Sequence, residues 1–179
     1  FRSVQQQKVE KKMATTSENL ETAFAGESKA NRKYLFFGKQ AEEEGFPVIA
    51  KLFRAVASAE TVHAEGHFRA MGKVRSTKDN LDDAYRGEVY EYTEMYPPML
   101  EQAEKDKHKA AYMFRLALAA EHVHAELWKK ARDAVLAGKD LDDTDIWVCP
   151  VCGFVECGPH PPDRCPICGA PAGKFTKTS

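Results

Sequence analysis

Glu60 and His63 sit three residues apart in Ser58-Ala59-Glu60-Thr61-Val62-His63-Ala64-Glu65, and 61 residues later the pattern returns as Ala119-Ala120-Glu121-His122-Val123-His124-Ala125-Glu126. On a helix this spacing sets both side chains on one face, one turn apart. A single pair of this kind is an ordinary surface ion pair. Two pairs inside an internal repeat, with one further Glu from each of two other helices, describe a bundle that holds two metal ions between carboxylates and imidazoles.

A second constellation lies near the C-terminus. Cys149-Pro-Val-Cys152-Gly and Cys165-Pro-Ile-Cys168-Gly are separated by twelve residues. Each knuckle turns backbone amides toward two thiolates, and two knuckles make a tetrahedral sulfur cage suited to zinc or iron. On the motif alone a structural zinc ribbon is the commoner outcome. Cys157 belongs to neither knuckle and reads as a free thiol in the loop between them. Trp147 and Phe154 are expected to cover a module too small for a core of its own.

Helices must bring the first set together. Ser17 is expected to cap a helix running to about Glu44, where Gly45-Phe46-Pro47 breaks it. A second helix should span Pro47 to Met71, followed by a polar link over 72–80. A third starts near Leu81 and meets Pro97-Pro98, which should kink or break it. A fourth covers about 107–137 and ends at Gly138. The expected domains are an N-terminal extension over 1–16, a helical bundle over 17–138, a linker over 139–146 and a cysteine module over 147–179.

The repeat reaches further than the two motifs, since Asn19-Leu20, Gly26-Glu27 and Phe53-Arg54 return as Asn80-Leu81, Gly87-Glu88 and Phe114-Arg115. The chain is two related helical hairpins, hence a four-helix bundle. Reading each helix at 3-4 spacing gives Leu20, Phe24, Glu27, Asn31, Tyr34; Phe53, Val56, Glu60, His63, His67; Leu81, Ala84, Glu88, Glu91, Met95; and Phe114, Ala117, Glu121, His124, Trp128. Acids interrupt every apolar stripe near its middle. Converging unpaired carboxylates cost several kcal/mol each in a core, and two divalent cations remove that cost. Turning the acids to solvent would require all four stripes to be misread together.

The candidate ligands are Glu27, Glu60, His63, Glu88, Glu91, Glu121 and His124, a hard donor set suited to iron or manganese. The repeat makes Glu27 and Glu88 terminal, Glu60 and Glu121 bridging, and gives each metal one histidine. Glu91 has Ala30 as its counterpart, so the site is asymmetric. His67 reads better as a hydrogen-bonded core histidine than as a ligand, and His108, His122 and His160 as surface residues.

At these residues the chain resembles the rubrerythrin family over nearly its full length. The resemblance rests on Ala23-Phe24-Ala25-Gly26-Glu27-Ser28, the two Glu-x-x-His motifs, Gly87-Glu88-x-x-Glu91-Tyr92-Thr93-Glu94-Met95-Tyr96-Pro97 and the cysteine tail. It implies a mainly α protein, a ferritin-like four-helix bundle with a di-iron site, followed by a small rubredoxin-like domain with one iron, in place of zinc, on Cys149, Cys152, Cys165 and Cys168. It also implies that Glu91 binds the oxidised metal and His63 the reduced one, with Tyr34 and Tyr96 near the site. A second proline at Pro98 departs from the pattern. The implied activity is a peroxidase reducing hydrogen peroxide to water in oxidative-stress defence, supplied by a reductase or rubredoxin-type electron donor. The alternatives are a ferroxidase or iron-handling protein, for which an electron-transfer tail makes little sense, and a colourless zinc-stabilised module.

Composition sets the remaining expectations. A net charge of −1 among 30% charged residues suggests no nucleic-acid partner. No apolar run approaches the ~20 residues of a membrane span. Residues 1–12 lack the apolar centre of a signal peptide and read as an extension before a start at Met13. Five cysteines confined to 149–168 fit a metal site in the cytoplasm rather than a disulfide framework. In a ferritin-like bundle the second and third helices run parallel, so their link must climb roughly 20–25 Å and cross about 10 Å, close to the ~30 Å limit of nine taut residues. The expectation is therefore a homodimer that exchanges hairpins.

Overall fold

The computed structural model describes residues 14–178; the readings of residues 1–12 and of Met13 lie outside these. The chain divides after Arg75 into two compact units.

Unit one is a helical hairpin of α1 (Thr16–Glu43) and α2 (Pro47–Ala70). Thr15, not Ser17, caps α1: its hydroxyl accepts from the Glu18 amide at 3.2 Å while the Glu18 carboxylate accepts from the Thr15 amide at 2.7 Å. This capping box needs an acid three residues on, which Thr15 has and Ser17 lacks. Gly45, at φ 83°, turns the chain into Pro47 at the start of α2. The helices meet through small residues, with Gly38, Ala41, Ala50 and Ala57 buried. A Cβ on Gly38 would stand 3.3 Å from the Ala50 carbonyl oxygen, so glycine permits the approach. Asn31 ties the pair by donating to the Ala57 carbonyl at 2.7 Å and the Thr61 hydroxyl at 2.9 Å. Phe24 stacks on Phe68 at 4.7 Å, and Tyr34 lies 6.1 Å from Phe53. Among the described residues of this unit nothing larger than alanine is buried, and Phe36, Val48 and Leu52 are exposed by 63%, 78% and 62%.

Unit two begins with α3 (Thr77–Tyr90), a π-helical turn (Glu91–Met95) and α4 (Tyr96–Lys105), followed by α5 (Ala110–Leu136). The third helix starts earlier than Leu81 because Ser76 caps it, accepting from the Asp79 amide. The link after α2 thus shrinks to residues 71–76. Pro97 and Pro98 do not break the helix. The chain widens into the π turn, where the Tyr96 amide donates to the Glu91 carbonyl five residues back, and the prolines fall in the first turn of α4. First-turn amides need no partner inside the helix, so proline costs little there. The fourth expected helix, α5, starts at Ala110 rather than 107, since Lys107 turns with φ 53°. His108 is exposed, as expected, and its Nδ1 accepts from the Ala110 amide at 3.1 Å.

The tail forms a three-stranded antiparallel sheet, with β1 (Ile146–Val148) between β2 (Val155–Cys157) and β3 (Thr176–Lys177). Cys157 therefore lies in β2, paired opposite Ile146, and not in a loop. Phe154 and Phe175 meet edge to face at 6.3 Å beside Cys149, Cys152 and Cys165. Trp147 packs on this cluster and donates to the Gly158 carbonyl at 3.0 Å. Leu116 and Val123 of α5 join it, so the small sheet borrows apolar cover from the helix. Among the described residues, no helix is long and apolar enough to cross a membrane.

Candidate metal centres

Six of the seven candidate carboxylate and imidazole ligands fall into two triads, one in each unit. Glu27 of α1 joins Glu60 and His63 of α2; Glu88 of α3 joins Glu121 and His124 of α5. Within each triad the ligand atoms lie within 4.8 Å of one another. The helical phase does this locally, because one turn separates each Glu from its His and the neighbouring helix presents a Glu at the same level. Neither triad is enclosed by its own unit: the His63 side chain is 56% exposed and that of His124 22%.

The unit-two triad is the more elaborate. His124 Nδ1 lies 2.6 Å from Glu121 Oε2 and 3.9 Å from Glu88 Oε2. Its Nε2 lies 2.9 Å from the Gly153 carbonyl oxygen. A carbonyl only accepts, so Nε2 carries a proton, and in the imidazolium form Nδ1 donates to Glu121; a cation among the carboxylates would take the place of that Nδ1 proton. Trp128 Nε1 donates to Glu88 Oε1 at 3.2 Å and orients that carboxylate.

Electrostatics show the strain of crowding acids together. The hydrogen bond to His124 holds the Glu121 carboxyl below its ordinary value, and the same bond raises His124. Burial, and then the negative Glu121, push Glu88 and Glu91 upward. Glu91 heads the π turn and feels Glu121 and His124, but it is not one of the atoms clustered within 4.8 Å. Burial and the charges of Glu121, Glu91 and Glu88 raise Tyr96, which sets its ring beside the triad. Tyr34 belongs to unit one, against Phe53 and Phe37. A divalent cation among the unit-two acids would offset the burial and repulsion that raise Glu88 and Glu91, so the donor set fits a hard metal.

Cys149, Cys152, Cys165 and Cys168 bring their sulfurs within 4.8 Å of one another, with Cys149–Cys168 at 3.6 Å and Cys152–Cys165 at 3.4 Å. A tetrahedron with metal–sulfur bonds of about 2.3 Å has edges of about 3.8 Å, so the cage matches a single ion. Burial pushes the Cys165 thiol up, but hydrogen bonds from the Cys168 and Ile167 amides outweigh it and hold the group at about 7. Gly153 follows Cys152 directly, so one peptide joins the cage to the acceptor of His124. Residue patterns offered no signal for this contact, nor for Trp128 as a donor.

Known proteins carry the same combination. A family model described as "Rubrerythrin" matches residues 18–132, and one described as "Rubrerythrin, rubredoxin-like domain" matches 147–176. Rubrerythrin-2 of Clostridium acetobutylicum is 37% identical over 92% of this chain and 97% of its own. Nigerythrin of Nitratidesulfovibrio vulgaris is 35% identical over 92% of this chain and 87% of its own. A solved structure of nigerythrin in a mixed-valence state aligns with a TM-score of 0.54 at 34% identity, covering 94% of this chain and 89% of that one.

Proposed function

The chain belongs to the rubrerythrin family, iron-binding oxidative-stress proteins with a di-iron carboxylate site and a rubredoxin-like four-cysteine site, and from that premise we propose that it is a peroxidase reducing hydrogen peroxide to water. Iron held there would supply two electrons to the O–O bond, and iron on Cys149, Cys152, Cys165 and Cys168 would return them singly from a reductase or rubredoxin-type donor. The remaining work belongs to the chain's own side chains. Glu27, Glu60, Glu88 and Glu121, with His63 and His124, hold the pair. Glu91 is the spare carboxylate, exchanging with His63 as the charge at the centre changes. In this reading Tyr96, whose hydroxyl feels the charges of Glu121, Glu91 and Glu88, and Tyr34 of unit one would each steady a ligand carboxylate.

One observation carries this reading: His124 faces Glu88 and Glu121 through Nδ1 and donates from Nε2 to the carbonyl following Cys152. The two metal sites are thereby joined through one imidazole and one peptide. Iron storage has no use for such a bridge, whereas a turnover enzyme needs it. The test is oxidation of the reduced protein by peroxide. Cys149→Ser should stop turnover with a reductase, yet leave a single oxidation of chemically pre-reduced protein. Glu91→Ala should slow both. Unchanged turnover in Cys149→Ser would sink the relay, and faster oxidation by dioxygen than by peroxide would favour the ferroxidase reading.

We infer further that each complete site takes its two triads from different copies of the chain. In a ferritin-like bundle with both triads level, parallel α2 and α3 would need a link rising about 27 Å, before any sideways crossing. The stretch between Ala70 and Thr77 reaches about 25 Å when fully taut. The exposed apolar side chains of the hairpin, Phe36, Val48 and Leu52 among them, also call for a partner surface. Mixing a Glu27→Ala chain with a Glu121→Ala chain checks this. Exchanged hairpins rebuild one intact site per mixed dimer and restore activity, whereas self-contained chains restore none.

A further inference from the structure

Beside Glu88 and His124, unit two carries a partly open cavity of about 690 Å³. Its lining is mostly apolar, with Leu127, Leu141, Val148 and Val155, and also carries Glu88, His124, Lys130 and Asp142. Hydrogen peroxide has two heavy atoms and fills about the room of one or two waters, roughly 30–60 Å³. For that substrate alone the cavity is roughly ten- to twentyfold too large, and most of its wall is apolar. Cavities of roughly 300–1,000 Å³, mostly apolar with a few polar groups to orient the guest, are the ordinary form of a small-organic-molecule site.

Building on the peroxidase reading, we propose that this cavity admits organic hydroperoxides, with the apolar body against Leu127, Leu141, Val148 and Val155 and the –OOH group toward Glu88 and His124. The reaction is ROOH + 2 e⁻ + 2 H⁺ → ROH + H₂O. The O–O bond would break with two electrons that an iron pair held by the two triads would supply and iron in the four-cysteine cage would restore, and with two protons from solvent.

The test uses full-length, iron-loaded protein with cumene hydroperoxide and its unreactive product, 2-phenyl-2-propanol. Titration calorimetry should show saturable binding of the alcohol. Leu141→Trp narrows the cavity at a residue 38% exposed, so folding is undisturbed. It should weaken alcohol binding and lower kcat/KM for cumene hydroperoxide by about tenfold each, leaving hydrogen peroxide turnover unchanged. No saturable heat, as when a second copy's hairpin fills the space, overturns the proposal. So does a wild type that reduces hydrogen peroxide but not cumene hydroperoxide, or a variant equally slow with both. A wild type inactive with either peroxide removes the peroxidase reading as well.

Discussion

The two triads are copies of one motif, 61 residues apart, yet they are not equivalent. His63 contacts Glu60 at 3.0 Å and is more than half exposed. His124 contacts Glu121 at 2.6 Å and is anchored on its far nitrogen by the Gly153 carbonyl. At the position where unit one has His67, unit two has Trp128, donating to Glu88. The same Glu, Glu and His set occurs twice, and among the described residues only the unit-two histidine hydrogen-bonds into the cysteine module. A histidine tethered at both nitrogens holds its place, while one tethered at a single nitrogen can leave. That difference is what the proposed function asks for, with ligand exchange at His63 and electron entry at His124.

The comparison breaks most visibly at the histidines. His124→Ala should cut reductase-driven turnover by about 100-fold, because it removes a ligand and the bridge together. His63→Ala should cost about tenfold, since Glu91 can stand in. Steady-state rates on iron-loaded variants measure both, and equal losses would make the triads interchangeable.

A middle-sized effect should appear in pH dependence. Folded-state values are raised for His124, Glu88 and Glu91, so each favours the fold when protonated and loses that contribution as pH rises through its raised value. Glu121 runs the opposite way, its contribution vanishing only as pH falls through its lowered value. Metal-free protein should therefore lose stability as pH rises above the ordinary glutamate value of 4.5 and again above the ordinary histidine value of 6.5, while iron(II) stabilises more as pH rises because its ligands must be deprotonated. Urea midpoints with and without metal test this, and parallel profiles would contradict it.

The smallest change is Trp128→Phe. Removing the indole N–H frees Glu88 to rotate and should weaken iron binding at unit two by about two- to tenfold at this half-exposed site. Competitive chelator titration reads it, and an unchanged affinity would reduce Trp128 to packing.

Much of the fold is legible in the sequence because its signals are local. Glycine at 45 and at 138, proline at 47 and the acid-interrupted stripes mark helices without any tertiary information. The misreadings concern boundaries, where two signals compete. Thr15 and Ser17 are both cap types, and only the acid at 18 separates them. Ser76 escapes notice because Leu81 opens the apolar stripe, although a polar first turn precedes it. At Pro97-Pro98 the expected break overlooks a third option, the π turn, which keeps the helix continuous by widening one ring. Cys157 looks like a loop residue because nothing in the spacing of the knuckles reveals the short strand between them.

Residue types and their periodicity determined by themselves which groups could bind metal, since coordination chemistry and helical phase are both written one residue at a time. They separated the hard-ligand triads from the thiolate cage and related the triads by a repeat. Tertiary structure alone decided that a knuckle's carbonyl would meet His124, that Trp128 would point at Glu88, and that an apolar cavity would adjoin them. Those features depend on where a small sheet settles against α5, a packing of distant segments that no local spacing encodes.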